Sequence, residues 1–334
     1  MNRQALSRRT LLKAASTTCA PASILGFGAF ATATANAQPS LKWANLAPGF
    51  TTLLTDYMVA KGLDKSNDLP LGKPTAYTAV TTYYNDFVAG NYDVCIGSWD
   101  TFASRYIAGV PMQYVCSVTT GNMINIITQA KGPATIQELK GKTLAAPQST
   151  GTYRMMRAVI KELNGIDLET HAVVQNVDNP AASVTLVMAN RADAGLTWEP
   201  NVSVGLKRVP DMRVLYNAGE EYRKRVKLDL PYFGVAVRKE AIARDPTLVA
   251  RLNKAFAECI EGITTKTDDA VNIAGANSGI PPDVLKVAIA SKRLEFKHVS
   301  MQSDEGRRSI VSANEFLVRN GALTKMVDSG FFAA

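Results

Sequence analysis

Along this chain, short apolar runs alternate with stretches in which apolar residues recur every three or four positions. The runs read as buried strands and the stretches as amphipathic helices. Strands are expected at Leu41–Leu46, Pro74–Thr78, Tyr92–Gly97, Met112–Val118, Asn125–Gln129 and Lys142–Pro147, then at His171–Val177, Ala194–Trp198, Met212–Tyr216 and Phe233–Arg238. Their alternation with helices predicts an α/β protein with parallel sheets covered on both faces. Helix starts are marked by a capping box at Thr135-Ile136-Gln137-Glu138 and by a capping side chain before proline at Asn179-Pro180 and Asp245-Pro246. A helix from about Thr152 carries Met156, Val159, Ile160 and Leu163 on one face and ends at Asn164-Gly165; the last long helix, Asp304–Arg319, ends at Asn320-Gly321.

One pattern occurs twice. Phe87 to Asp100 and Val187 to Pro200 each run from an apolar helix end through a turn and an Asp into a short strand that stops at Trp and an acid. Ligands of open α/β sheets sit beyond the carboxyl ends of strands, so the repetition predicts two similar lobes facing one cleft. No Gly-, Ser- or Pro-rich linker separates two halves. The chain is therefore expected to cross along extended strands, at Ile124–Gln129 and Tyr232–Arg238. Lobe one would be discontinuous (38–126 and 232–334), with lobe two (127–231) inserted.

The N-terminus changes the charge argument. Ser7-Arg8-Arg9-Thr10-Leu11-Leu12-Lys13 is a twin-arginine pattern, followed by a weakly apolar stretch to about Ala33 and a small-x-small site at Ala35-Asn36-Ala37. Residues 1–37 are read as an export signal, cleaved near Ala37/Gln38, and the mature chain as periplasmic. The stretch is short and interrupted by Pro21, Gly26 and Gly28, which speaks against a membrane anchor. Of the net charge of +8, Arg3, Arg8, Arg9 and Lys13 fall in this segment, leaving about +4. That modest value, without a basic stripe, argues against nucleic-acid binding. The run Arg223-Lys224-Arg225-Val226-Lys227 follows Glu220 and Glu221 and reads as a solvated helical face. Cys95, Cys116 and Cys259 sit in apolar surroundings at no metal-ligand spacing, as small buried hydrophobes.

Catalytic signatures are missing. The two histidines, His171 opening a strand and His298 near the end of a charged helix or loop, are unrelated in position, and no phosphate loop, zinc-protease, hydrolase-elbow or dinucleotide motif is present. No cofactor or metal is expected. The strongest site candidate is the strand-to-helix turn Ser149, Thr150, Gly151 and Thr152, where exposed N–H groups and hydroxyls suit an anion; ordinary capping explains the same residues. Asp100 is expected to cap the helix beginning at Thr101 while still lining the cleft. Trp99, beside that polar cap, is expected half exposed and ready to stack on a ligand. Glu199 either meets a positive group of the ligand or holds a neighbouring loop, with Trp198 beside it. Asn45 and Phe50 after the first strand, Ser98, Thr120, Asn122, and Tyr232 at the second crossing complete the ligand-binding set by position.

The chain resembles the periplasmic solute-binding proteins of ABC importers for nitrate, alkanesulfonates and taurine. The resemblance is carried by Gly90-Asn91-Tyr92-Asp93-Val94, by Leu139-Lys140-Gly141-Lys142-Thr143-Leu144-Ala145, by the Ser149–Thr152 turn, by Ala192-Asp193-Ala194 leading to Trp198-Glu199-Pro200, and by Phe233–Lys239. It implies a type II binding-protein fold, two α/β lobes on a two-strand hinge, with Ser149, Thr150 and Gly151 on the ligand's anionic head. It further implies a monomeric receptor that hands a small organic anion or zwitterion to a membrane permease with its ATPase, making and breaking no bond. Trp99-Asp100 departs from the small residues common there, which favours a larger organic ligand with an aromatic or amine part over nitrate or simple alkanesulfonates. Two alternatives are an enzyme on the same fold, like the thiamine-pyrimidine precursor synthases, and a ligand-loaded sensor for a membrane kinase.

Overall fold

The structure is a computed structural model that describes residues 41–334. The twin-arginine pattern, the cleavage site and Cys19 lie outside the described residues. Among the described residues no helix is long and apolar enough to cross a membrane.

The chain starts in the first lobe with β1 (Trp43–Leu46), α1 (Thr51–Ala60), α2 (Leu63–Ser66), β2 (Thr75–Tyr77), α3 (Val80–Ala89), β3 (Val94–Ser98), α4 (Trp99–Ile107) and β4 (Met112–Thr119). It continues in the second with β5 (Ile124–Gln129), β6 (Thr143–Ala146), α5 (Gly151–Asn164), α6 (Leu168–His171), β7 (Val173–Asn176), α7 (Pro180–Met188), β8 (Ala194–Trp198), α8 (Asn201–Arg208), β9 (Met212–Asn217) and α9 (Ala218–Val226). It then returns through β10 (Phe233–Arg238), α10 (Lys239–Arg244), α11 (Leu248–Thr265), α12 (Thr267–Ser278), α13 (Pro282–Ala290), β11 (Phe296–Ser300) and α14 (Asp304–Arg319).

The first sheet has the order β2-β1-β3-β10-β4-β11 and the second β7-β6-β8-β5-β9. Five positions correspond one for one, β2-β1-β3-β10-β4 with β7-β6-β8-β5-β9, and β11 adds a sixth strand to the first sheet alone. Neither is purely parallel, contrary to the sequence expectation. β1, β2 and β3 pair in parallel, as do β6, β7 and β8, but β10 runs antiparallel to β3 and β4, and β5 antiparallel to β8 and β9. The reason is topological: a strand arriving from the other lobe enters its sheet from the cleft end. β5 and β10 each lie wholly within one sheet, so the lobe-to-lobe passages are short segments beside them. Gly121 N–H donates to Leu230 C=O (2.7 Å) and Tyr232 N–H to Thr119 C=O (3.1 Å), which ties the two passages into a hydrogen-bonded hinge.

Local signals held unevenly. Asn179 caps α7 through the Ala182 N–H, and α5 and α14 end at left-handed Gly165 and at Asn320-Gly321. The capping box at Thr135 yields only a 3-10 turn, Gln137–Leu139, in which Glu138 accepts from the Ala134 N–H. Asp245 is not a helix cap either; it accepts from the Thr247 N–H and hydroxyl just ahead of α11. His171 closes the short helix α6 instead of opening a strand, and His298 lies in β11, an edge strand absent from the sequence reading. The polar sequence Phe296-Lys297-His298-Val299-Ser300 suits a strand paired on one side only, and it carries no apolar run to detect.

One large apolar core runs through the first lobe and continues onto the α5 side of the second sheet; α7 and α8 enclose a smaller one around Val184, Val187 and Val202. α14 reaches back over the second lobe, where Phe316 meets the Tyr222 ring edge-on at 5.1 Å and Arg319 pairs with Glu162 of α5.

Candidate functional site

The site forms where the end of β3 meets the start of α5. Gly97 and Ser98 close the strand, and the Ser98 N–H donates to the Tyr84 hydroxyl at 2.8 Å. Ser98 occupies the N-cap position of α4 but makes no cap bond; its hydroxyl donates to the Asp100 carboxylate. Asp100 is thus the second residue of α4 and not its cap, which corrects the sequence expectation. Its carboxylate turns away from its own helix and across the seam between the lobes. There Arg154 of α5 donates from Nε (3.1 Å) and Nη2 (2.7 Å), with a further Nη2 bond to Thr101 (3.2 Å). Asp100 is fully buried, while the Arg154 side chain keeps 29% of its surface.

On the second lobe the Ser149–Thr152 turn opens α5. Thr150 is the cap: its hydroxyl accepts from the Tyr153 N–H (3.3 Å) and donates to Pro147 C=O (2.7 Å). The N–H groups of Gly151 and Thr152, in the first turn, have no carbonyl within the helix to bond. Thr152 bonds through its hydroxyl to the buried phenol of Tyr232 from the first lobe, and burial pushes that phenol's pKa well above its ordinary value, so it stays neutral. Gly151 lies against the Asp100 carboxylate so closely that a Cβ there would overlap both oxygens. Ser149 is exposed at the rim of the turn.

Ser98, Asp100, Gly151, Thr152 and Tyr232 are therefore brought into one buried polar cluster. Trp99 lies beneath it with no exposed surface: its indole N–H donates to Pro231 C=O (2.8 Å) and its backbone N–H to Tyr232 C=O (2.9 Å). The expected half-exposed indole is corrected to a buried clamp on the hinge, because Trp99 begins a helix and points into the core.

The remaining candidates sit in other networks. Glu199 is fully buried and accepts from the Ser203 N–H and hydroxyl (3.0 and 2.9 Å) and from Arg293 Nε of the first lobe (2.7 Å). Of its two expected roles, holding a neighbouring loop is the one this geometry serves. Trp198 is half-buried against the large core. Thr120 and Asn122 both donate to Glu295 at 2.9 Å and belong to the hinge. Asn45 is buried, bonded to Thr55 through Nδ2 (2.8 Å) with its Oδ1 unpartnered. Phe50 packs between Phe233 and Phe296 in the first-lobe core, at ring distances of 4.9 and 6.3 Å. A recess of ≈ 320 Å³ opens between the end of β9, the start of α9 and Arg293, and it includes none of the Ser149–Thr152 turn.

Sequence reasoning missed Arg154 and Arg293. Arg154 was legible in one respect: it follows Gly151 by three residues and so shares its helix face. Nothing in the sequence around Arg293 marks it. Cys95, Cys116 and Cys259 are buried, with thiols pushed up by burial, Cys95 to about 12. Among the described residues no group of three or more His, Cys, Asp or Glu is placed to hold a metal.

Two α/β lobes with a crossed-over strand in each sheet, a double hinge and a polar seam between strand ends define the periplasmic binding-protein fold. The chain belongs to the NMT1/THI5-like family, whose profile matches residues 68–270, more than half of its length. It is similar in structure to the periplasmic aliphatic sulphonate binding protein SsuA of Escherichia coli (15% identity, 89% of this chain and 92% of that one, TM-score 0.71). SsuA of Xanthomonas axonopodis pv. citri, bound to MOPS, is 17% identical over 86% and 96% of the two chains, with a TM-score of 0.68. The Candida albicans CA3427 gene product, which has the generic periplasmic binding protein fold, is 16% identical over 88% and 93%, with a TM-score of 0.63. No curated protein sequence matches the chain.

Proposed function

We propose that this protein is the exported solute receptor of an ABC importer, working in the periplasm and closing its lobes around a small organic anion, a sulfonate, a taurine-like zwitterion or a carboxylate. We assign the lobes as 38–126 with 232–334, and 127–231, the leader ending near Ala37. The observation that carries the reading is the seam. A helix start with free N–H groups, an arginine one turn further along and the Tyr232 phenol converge there from the two lobes. Such a group of donors is complete when the lobes are closed and dispersed when they part, which is what couples capture to closure. The anionic head would take Gly151 and Thr152 N–H, the Tyr232 and Thr152 hydroxyls and Arg154; Ser98, Asp100 and the rim residue Ser149 would complete the contacts. The sulfonate binding stated for both SsuA relatives supports the ligand class.

Delivery to a membrane permease and its ATPase follows from this role, and no bond is made or broken. An enzymatic reading on the same fold would need reactive groups in the seam. The buried thiols and the separate positions of His171 and His298 give it no support.

The test is a thermal-shift screen of the mature protein over sulfonates, aromatic carboxylates, amino acids and nitrate, since a ligand that binds only the folded, closed state raises the midpoint. A hit should be recovered chemically unchanged by mass spectrometry. Its affinity should fall in the Ser149/Thr150/Thr152 triple alanine variant, and an unaltered affinity there would reject the anion site.

A further inference from the structure

We infer that the Asp100–Arg154 pair is the charge filter of this cleft, admitting solutes with a positive group beside a negative one and turning away those with a negative charge alone. The inference rests on the receptor reading above and narrows its ligand class.

The Asp100 carboxylate is fully buried and contacted from both lobes: by the Ser98 hydroxyl on its own side, and by the Arg154 guanidinium and the Cα of Gly151 on the other. On this inference a solute entering the seam comes between these two charges. As it stands, the pair is neutral. A simple anion can take Arg154 and the first-turn N–H groups of α5, but it then leaves a buried carboxylate beside it without a cation. Two like charges in a dry seam oppose binding strongly. A zwitterion replaces both partners, its anionic group meeting the guanidinium and its ammonium the carboxylate. Among the described residues no second base is bonded to Asp100 to relieve the simple anion: Arg105 stacks on the Tyr84 ring at 5.0 Å and forms no ion pair with Asp100. Glu199 differs, because two donors from Ser203 in its own lobe hold its carboxylate in addition to Arg293. It holds a loop and should not discriminate among solutes.

The experiment is calorimetric titration of matched solutes: propane-1-sulfonate against 3-aminopropane-1-sulfonate, and 3-phenylpropanoate against phenylalanine. The wild-type protein should favour the zwitterion of a pair by about tenfold or more. Asp100→Asn should erase or invert that preference, and Glu199→Gln should leave it in place. The double variant Asp100→Asn/Arg154→Gln, which removes both charges together, keeps the test open should the single variant fold poorly; it should show no preference. Equal binding of both members by the wild type, or an unchanged ratio in Asp100→Asn, overturns the filter while leaving the receptor reading intact. Failure of these four solutes and of every solute in the thermal-shift screen to bind the wild-type protein sinks the receptor reading and the filter with it.

Discussion

Asp100 and Arg154 are neighbours only because two lobes meet, and each looks ordinary where it stands in sequence. Asp after a strand and before a helix reads as a cap, and Arg on a helix reads as solvent-facing. Their pairing shows instead how a small residue can be selected from the other side of a seam: Gly151 has no side chain because the Asp100 carboxylate occupies that space. Truncating Arg154 should therefore do more than remove a surface charge. Arg154→Ala leaves a buried carboxylate without its cation, and we expect a loss of about 3 kcal/mol in urea unfolding, at the lower end of the range for such pairs since Arg154 retains some solvent contact. The double variant Asp100→Asn/Arg154→Gln, which strands no charge, should recover most of that loss. Equal instability of the single and double variants would mean that packing, and not the stranded charge, is what matters. The turn that holds these residues was legible from its capping chemistry. The partner across the seam was not, because nothing local encodes contacts between residues more than fifty positions apart.

At the scale of elements, the repeated strand ending proves sound in one half and misleading in the other. Asp93 and Asp193 do the same job: each accepts from an N–H at the start of the neighbouring strand, Lys42 just ahead of β1 at 2.9 Å and Thr143, the first residue of β6, at 2.8 Å, and each follows a turn through a left-handed residue, Gly90 or Asn190. The tryptophans are not equivalent. Strand pairing aligns Ser98 with Phe233 and Trp198 with Ile124, so Ser98 and Trp198 correspond and Trp99 falls one place later. Trp198 is the last residue of its strand and stays half-buried, whereas Trp99, one place beyond the strand end, starts α4 and turns into the core under the hinge. The two-lobe inference survived because it depended on the Asp-to-strand spacing; the expected indole stacking failed because it depended on the phase. Asp93→Ala and Asp193→Ala should each cost about 1–2 kcal/mol in urea unfolding, as for loss of a charged acceptor to backbone N–H. The two sites are in different lobes with no shared partner, so the double variant should show the sum within about 0.5 kcal/mol. A strong departure from additivity would show that the lobes do not respond independently. The same spacing logic could not reveal β11, whose pairing on one edge leaves its sequence without a periodic signal, nor the antiparallel entry of β5 and β10, which follows from the route of the chain between lobes and not from any strand's composition.

For the whole molecule, the proposed receptor role requires closure favourable enough to hold a solute and weak enough to release it. The ties between the lobes differ in how far they are hidden from water. Asp100–Arg154 and Glu199–Arg293 are buried on the acid side, whereas Glu162 of α5 and Arg319 of α14 meet near the surface at 2.5 Å, with Asn320 adding a further bond to the same carboxylate. Hydrogen bonding to Arg319 holds the Glu162 carboxyl below its ordinary range. A group whose pKa is lower in the folded state stabilises that state above its unfolded value and loses the contribution as the pH falls through the folded one. The difference in stability between wild type and Glu162→Gln should accordingly be constant from about pH 8 to 5.5 and decline below about pH 4.5, near the unfolded glutamate value. Because Arg319 is more than half exposed, the difference should not exceed about 1 kcal/mol even at neutral pH and should shrink in high salt. Urea unfolding at pH 7 and pH 3.5, each with and without added salt, measures this. A difference that persists undiminished at pH 3.5 would assign the contact to packing of α14 on α5, through Phe316 and Tyr222, and would make the C-terminal helix a fixed strap. A difference that fades makes it a weak electrostatic tie, and in the proposed receptor a weak tie on the outside leaves the buried pairs on the inside to decide when the lobes stay shut.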